Sequence, residues 1–205
     1  MSVAPIAKLP KKQQQELLDD LNYLNLGEIK SFCQRHSIPY TIAIETKDGI
    51  RKKTAEDDRK GVILGKVRHF LRTGAVLKET CLPASVVAND PLPKTITPDD
   101  RLFYGQYDKT NRGMIDLLKE LTDGRFKDGA IARIVAREFW TKGQAPTFSE
   151  FASSWLKATR EHEKPNPEWA FLRDRSDKLD VSDWKRLRAQ KAAKAIKNLD
   201  RIMAS

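Results

Sequence analysis

The side chains with the most evident chemistry in this chain are cations in short runs. Arg51, Lys52 and Lys53 are consecutive, Arg59 and Lys60 form a doublet, and Lys66 and Arg68 follow within two helical turns, with Lys30 upstream. A second group, Lys185, Arg186, Arg188 and Lys191, stands near the C-terminal end. Lysines and arginines set close together neutralise phosphates and release counterions, so their natural chemistry is grip on a polyanion backbone. The plainer alternative is that they solvate helix faces. Groups that break bonds are sparse by comparison. The three histidines, His36, His69 and His162, are scattered, and no Gly-rich phosphate loop, GxSxG or HExxH is present. Cys33 and Cys81 lie outside any CxxC or Cys/His ligand spacing, which gives no case for a disulfide framework or a zinc site, and both read as buried thiols. Glu56-Asp57-Asp58 reads as the acidic approach to a helix N-terminus. No enzymatic activity, cofactor or metal is expected.

The distribution of charge sharpens this reading. The chain has 205 residues, 40% of them hydrophobic, and a net charge of +10. That is enough for one ordinary core, or a small module beside a medium domain. Residues 26–74 hold eleven Lys/Arg against six Asp/Glu, and residues 182–205 hold seven against two. Residues 75–181 balance at seventeen against seventeen. The excess therefore falls in two segments of +5 flanking a neutral middle, a pattern of two cationic surfaces attached to a neutral body. No run of eighteen apolar residues and no apolar leader core stands in the chain, so no membrane span and no secretion are expected. The expected location is cytoplasmic, with nucleoid association as a possibility.

Helical elements must position the first cationic segment. Asn25 and Glu28 form a capping box, and Ile29, Phe32, Cys33 and His36 continue at i, i+3, i+4 and i+7, with Lys30, Gln34 and Arg35 off the stripe. Pro39 ends that helix, and His36 reads as a partly buried helix-end histidine. Upstream, Leu17, Leu21 and Leu24 mark a further short helix covering the module. Downstream, YTIAIETKDGIRKKT alternates around Asp48-Gly49, which predicts a β-hairpin. A second helix follows, with Ile63, Val67, Phe70 and Leu71 on its apolar face, Gly74 as C-terminal cap, and Lys60, Lys66, Arg68 and Arg72 on or near its polar side.

These residues resemble the SAP motif, a compact helix–loop–helix unit that binds DNA. LNLGEIKSFCQRHSIP is similar to its first half, with Leu26, Ile29, Phe32, Cys33, Ile38 and Pro39 in the apolar positions. DRKGVILGKVRHFLRTG is similar to its second half, with Arg59-Lys60 as the basic doublet and Ile63, Leu64 and Val67 in the core. The resemblance covers about a quarter of the chain and implies double-stranded DNA as partner. Two departures stand out: Asp58 replaces the glycine usual before the doublet, and the loop from Tyr40 to Asp58 is long.

Beyond Gly74, KETCLPASVVANDPLPKTITPDD holds four of the ten prolines. It has no helical period, so residues 76–100 read as a linker after a module at 1–75. Residues 101–181 read as a helical domain. Ile115, Leu118 and Leu121 mark one helix, and Ile131, Ile134, Val135 and Phe139 a second. A Thr147/Glu150 capping box opens a third, with Phe148, Phe151 and Trp155 as core. Asn166-Pro167 predicts a short helix in NPEWAFLRDR. REFWTKGQAPTFSEFASSWLKAT resembles an uncharacterised helical domain that follows SAP-like modules in bacterial proteins, which implies architecture and no activity. Residues 182–205 predict a basic helix with Ser182 as its cap candidate and Trp184, Leu187, Ala195, Leu199 and Ile202 on a rough apolar side. It could track DNA, lie on an anionic membrane, or dock on the body, the membrane reading being weakest for want of apolar surface.

The expected protein is thus mainly α. It is a SAP-like module with a hairpin insertion, then a helical domain and a basic C-terminal helix. The expected function is non-enzymatic nucleic-acid binding through Lys30, Arg51, Lys52, Lys53, Arg59, Lys60, Lys66, Arg68, Lys185, Arg186, Arg188 and Lys191, with the middle domain positioning the two surfaces or recruiting a protein. The alternative is an adaptor for an acidic protein partner.

Overall fold

The computed structural model describes residues 4–162 and 181–204, which are mainly helical with a small three-stranded sheet. The elements are α1 (Lys11–Asp20), α2 (Leu26–Arg35), β1 (Thr41–Glu45), β2 (Arg51–Asp57), α3 (Lys60–Thr73), β3 (Cys81–Leu82), α4 (Arg112–Glu120), α5 (Ala130–Thr141), α6 (Phe148–His162) and α7 (Val181–Met203). They fold as two compact units, each built from separated stretches of chain. Within the described residues, the first unit takes 4–40, 57–79 and 181–204, and the second takes 41–56 and 80–162. The expected helix in NPEWAFLRDR and the side chains of His162 and Ser182 lie outside the described residues.

In the first unit the local signals act as their chemistry dictates. Asn25 accepts from the Glu28 amide at 2.9 Å while the Glu28 carboxylate accepts from the Asn25 amide at 2.7 Å, so the capping box starts α2. Gly74 ends α3 in the left-handed region at φ 72°, a conformation that costs a residue without Cβ nothing. The apolar faces of α1, α2 and α3 meet in one core that includes Leu17, Leu21, Leu24, Ile29, Phe32, Cys33, Ile63, Leu64, Val67 and Leu71. His36 sits at the C-terminal end of α2, its ring 4.5 Å from Phe32 and stacked 5.8 Å from Phe70. Burial, and then the neighbouring Arg35, hold its imidazole below the ordinary histidine range.

The C-terminal segment is no independent basic helix. α7 closes this core with Ala192, Ala195, Leu199 and Ile202, all buried. Fully burying a residue such as Leu or Ile is worth about 1.5–3 kcal/mol. That outweighs the few tenths of a kcal/mol typical of each exposed ion pair along the same helix. Docking is therefore driven by the apolar stripe, and Trp184 and Leu187, expected on that stripe, remain only half-buried.

The expected hairpin forms, but within the second unit. Gly49 donates to the Thr46 carbonyl at 2.9 Å and Thr46 donates to the Ile50 carbonyl at 2.9 Å, leaving a three-residue turn with Gly49 at φ 74°. The segment read as a linker is a structural part of the same unit. β3 pairs in parallel with β1, matching Ala43 to Cys81 and Ile44 to Leu82, which gives the sheet order β2-β1-β3. Val87 bridges to Tyr104 and Arg101 to Thr147, and Leu82, Val86 and Leu102 are fully buried. The prolines forbid helix but leave extended backbone free to pair, and the apolar residues between them find a core.

That core is completed by α4, α5 and α6. Thr147 and Glu150 cap α6 reciprocally, at 3.1 Å and 2.8 Å, and Phe148, Phe151 and Trp155 are buried as expected. α5 is rotated from the expected face: Ala132, Val135, Ala136 and Trp140 are buried, whereas Ile131 and Phe139 are half-buried. Trp140 fixes that rotation by donating its indole N–H to the Leu102 carbonyl at 3.0 Å.

The chain leaves the first unit after Tyr40 and re-enters it at Asp57, and a polar clamp holds that neck. The Asp58 amide donates to the Tyr40 carbonyl at 2.7 Å. Lys66 donates to Asp58 Oδ2 at 2.7 Å and to the Pro39 carbonyl at 3.1 Å, and both charged side chains are buried. The sequence placed Lys66 near a polar helix face; it lies instead in the core side of α3, because Asp58 supplies its counter-charge. Asp58→Ala strands a buried ammonium and is expected to lower stability by about 3–5 kcal/mol, with Asp58→Leu/Lys66→Met regaining most of it. Urea midpoints of the two variants measure this directly.

The two thiols differ in the same physical terms. Cys33 is fully buried and its thiol is pushed up to about 11 by burial, whereas Cys81 is half-buried on the edge strand β3 rather than in the core. A thiol reagent at pH 8 is expected to label Cys81 in the native protein and Cys33 only after denaturant is added. Equal rates for both sites count against this packing.

Candidate nucleic-acid interface

The cations expected to contact phosphate divide sharply by environment. On the first unit, most are engaged with their own chain. Lys30 pairs with Asp57 and lies 5.5 Å over the Tyr40 ring. Lys60 donates to the Asn22 carbonyl at 2.5 Å, and Arg68 to Asn22 Oδ1 at 2.8 Å. Lys66 is buried against Asp58, and Arg59, at the N-cap position of α3, is half-buried and engaged. The basic doublet and its helix therefore help assemble the core edge.

The same holds for half of the C-terminal group. Arg188 donates to Glu28 Oε2 at 2.5 Å and to the Tyr23 carbonyl at 3.2 Å, so the residue that completes the α2 capping box also anchors α7. Lys191 donates to Asp20 Oδ1 at 2.9 Å, and the Asp20 side chain is 2% exposed. That hydrogen bond holds the Lys191 ammonium above the ordinary lysine range, against the downward push of burial. Lys185 and Arg186 are exposed, Arg186 in an i,i+3 pair with Asp183 at 2.9 Å. An exposed pair of this kind is weak and opens readily to a competing anion.

The hairpin presents the opposite picture. Arg51, Lys52 and Lys53 are consecutive on β2, all three are exposed, and β2 is an edge of the sheet. Residues along a strand alternate faces at about 3.3 Å per residue, so Arg51 and Lys53 share one face roughly 7 Å apart while Lys52 points the other way. Lys47 and Ile50, in and beside the turn, are exposed as well. The sequence reasoning passed over Lys47, although its place next to Asp48-Gly49 at the hairpin tip was visible.

The acidic triplet that follows has three separate tasks rather than a shared one. Glu56 pairs with Arg137 and accepts from the Tyr104 hydroxyl at 3.3 Å. Burial first, then the Glu56 carboxylate, hold that phenol above its ordinary range. Asp57 pairs with Lys30 and Asp58 with Lys66. The carboxylates expected to greet a helix N-terminus are thus counter-ions fixed by structure.

This division predicts a measurable asymmetry. Replacing Arg51, Lys52 and Lys53 by Gln is expected to change stability by no more than about 0.5 kcal/mol per position. Arg188→Ala, which removes hydrogen bonds to a charged group and to a carbonyl, is expected to cost about 1.5–3 kcal/mol. Chemical denaturation of the two variants reads the difference. Set against known proteins, the chain matches no family model, no curated protein and no solved structure.

Proposed function

We propose that this chain is a non-enzymatic nucleic-acid-binding protein that grips the phosphate backbone, with double-stranded DNA as the preferred form. The carrying observation is the run Arg51, Lys52 and Lys53, three exposed cations on one edge strand, with exposed Lys47 at the turn. Exposed lysines and arginines give up little on meeting a phosphate. A buried cation such as Lys66 gives up its partner and cannot reach one. The contact surface is accordingly the hairpin first, and the exposed Lys185 and Arg186 of α7 second. The preference for DNA rests on the resemblance of the sequences of α2 and α3 to the SAP motif and on nothing in the cation geometry.

A lysine-rich sheet edge also discourages edge-to-edge aggregation, and that purpose alone would explain the charges. One further feature favours a second reading, an adaptor for an acidic protein: Ile50, flanked by these cations, is 56% exposed. An apolar side chain amid cations suits a protein partner better than a phosphate backbone.

Salt separates the three. Anisotropy of a labelled mixed-sequence DNA duplex, titrated with the full chain across a salt series, is expected to give steeply salt-dependent binding. Arg51→Glu/Lys52→Glu/Lys53→Glu should lose affinity and reduce the salt slope by about one per phosphate contact removed. Absence of binding at low salt, or a triple variant that binds as the wild type does, overturns the proposal. If binding of an acidic partner instead survives salt and is lost in Ile50→Ser, the adaptor reading replaces it.

A further inference from the structure

The hairpin has a shape and a tip chemistry that grip on a phosphate backbone does not use. β3 matches β1 only at Ala43 and Ile44, so beyond Ile44 the sheet narrows to a two-stranded ribbon of β1 and β2. Every residue from Lys47 to Lys53 is exposed, which leaves both faces of β2 open to solvent at this end. Lys47 stands three residues past Ile44, a reach of roughly 10 Å in extended chain. The tip is held in place by its own backbone: the Thr46 amide donates to the Ile50 carbonyl at 2.9 Å, and the Ile50 amide donates to Thr46 Oγ1 at 3.2 Å.

The side chains are ordered along that reach. Lys52 on one face and Arg51 and Lys53 on the other stand behind the tip, whereas the tip holds Asp48 in the turn and Ile50 beside it, 56% exposed. A carboxylate is repelled by a row of phosphates, and an isoleucine gains nothing from one. Both suit base edges. In the major groove a carboxylate accepts from the cytosine N4 amino group, an apolar side chain packs on the thymine C5-methyl, and a lysine such as Lys47 donates to guanine O6 and N7. That groove is about 12 Å wide and about 8.5 Å deep and admits a two-stranded ribbon. The minor groove, about 6 Å wide, is too narrow for two strands roughly 4.8 Å apart with their side chains. A ribbon that enters tip first turns the cations on its two faces toward the two phosphate walls, and its reach matches the depth to the floor.

We propose that the ribbon of β1 and β2 enters the major groove of duplex DNA tip first, with Arg51, Lys52 and Lys53 on the phosphates of its walls and Ile50 against a thymine methyl on its floor. Resting on the nucleic-acid reading above, this placement adds base contact to backbone grip and takes nothing from α2 or α3.

The test is anisotropy of the full chain on two duplexes of one mixed sequence, the second carrying deoxyuridine at every thymidine. The exchange removes the C5-methyl and leaves the phosphates and the pairing edges as they were. The wild type is expected to bind the thymine duplex about fourfold more tightly, the worth of one buried methyl group. Ile50→Ala should bind the two duplexes alike and keep the wild-type salt slope, since no phosphate contact is removed. Its side chain is exposed, so an unchanged urea midpoint is expected to show the fold intact. A thymine duplex left unbound at low salt overturns the nucleic-acid reading and this placement with it. Steeply salt-dependent binding that Arg51→Glu/Lys52→Glu/Lys53→Glu weakens, but that is equal for the two duplexes, keeps the backbone grip and overturns the placement. A full thymine preference in folded Ile50→Ala overturns it as well, and leaves Ile50 to a protein partner.

Discussion

The buried pair between Lys66 and Asp58 is the constraint on which the first unit depends. Two helices that pack together, α2 and α3, are separated in sequence by a hairpin that belongs to another core. Such an excursion adds loop entropy and must be closed at its base. The closure is made by Asp58, whose amide holds Tyr40 and whose carboxylate holds Lys66, while Lys66 also binds the Pro39 carbonyl. Removing ions from water is costly, and only mutual pairing with further hydrogen bonds makes such a burial tolerable. Asp58, the residue just before the Arg59-Lys60 doublet, therefore supplies the carboxylate that neutralises the lysine behind it.

The same economy governs the net charge. A sequence with an excess of ten positive charges invites a picture of broad cationic faces. On the first unit that picture is cut back, because α7 comes down on α1 and α2 with three of its seven cations over their carboxylates. Arg188 lies against Glu28, Lys191 against Asp20, and Lys194 donates to Glu16 at 2.7 Å. The Lys194 hydrogen bond holds the Glu16 carboxyl below its ordinary range, a sign that the pairing favours the charged form. Counting charges by sequence segment treats the C-terminal group as a surface, whereas folding sets much of it against acids distant in sequence.

What could be read from the sequence was what is settled locally. The Asn25/Glu28 and Thr147/Glu150 boxes, the Gly74 cap, the Asp48-Gly49 turn and the stripes of α2, α3 and α6 each depend on residues within one or two turns of one another. The failures are all non-local. Parallel pairing of β1 with β3 joins Ala43 to Cys81 across the whole of α3, and no periodicity in a proline-rich segment announces it. The buried face of α5 is set by the bond from Trp140 to the Leu102 carbonyl, which turns the helix away from the face that Ile131 and Phe139 suggested.

β2 joins these themes in one stretch of chain. Its first three residues, Arg51 to Lys53, are exposed cations, and its end supplies Glu56 and Asp57, followed by Asp58. The acids are each fixed to a named partner, Arg137, Lys30 and Lys66, so this end of the strand answers to folding. The cations have no such constraint from the fold, and a change of residue among them leaves every packed contact in place. A strand arranged this way separates the two demands physically: its carboxylate end can vary only with its partners, while its cationic end is free to vary with whatever it meets in solution. Three consecutive exposed cations on one edge strand, none of them holding a packed contact, are the observation on which the proposal of a polyanion partner rests.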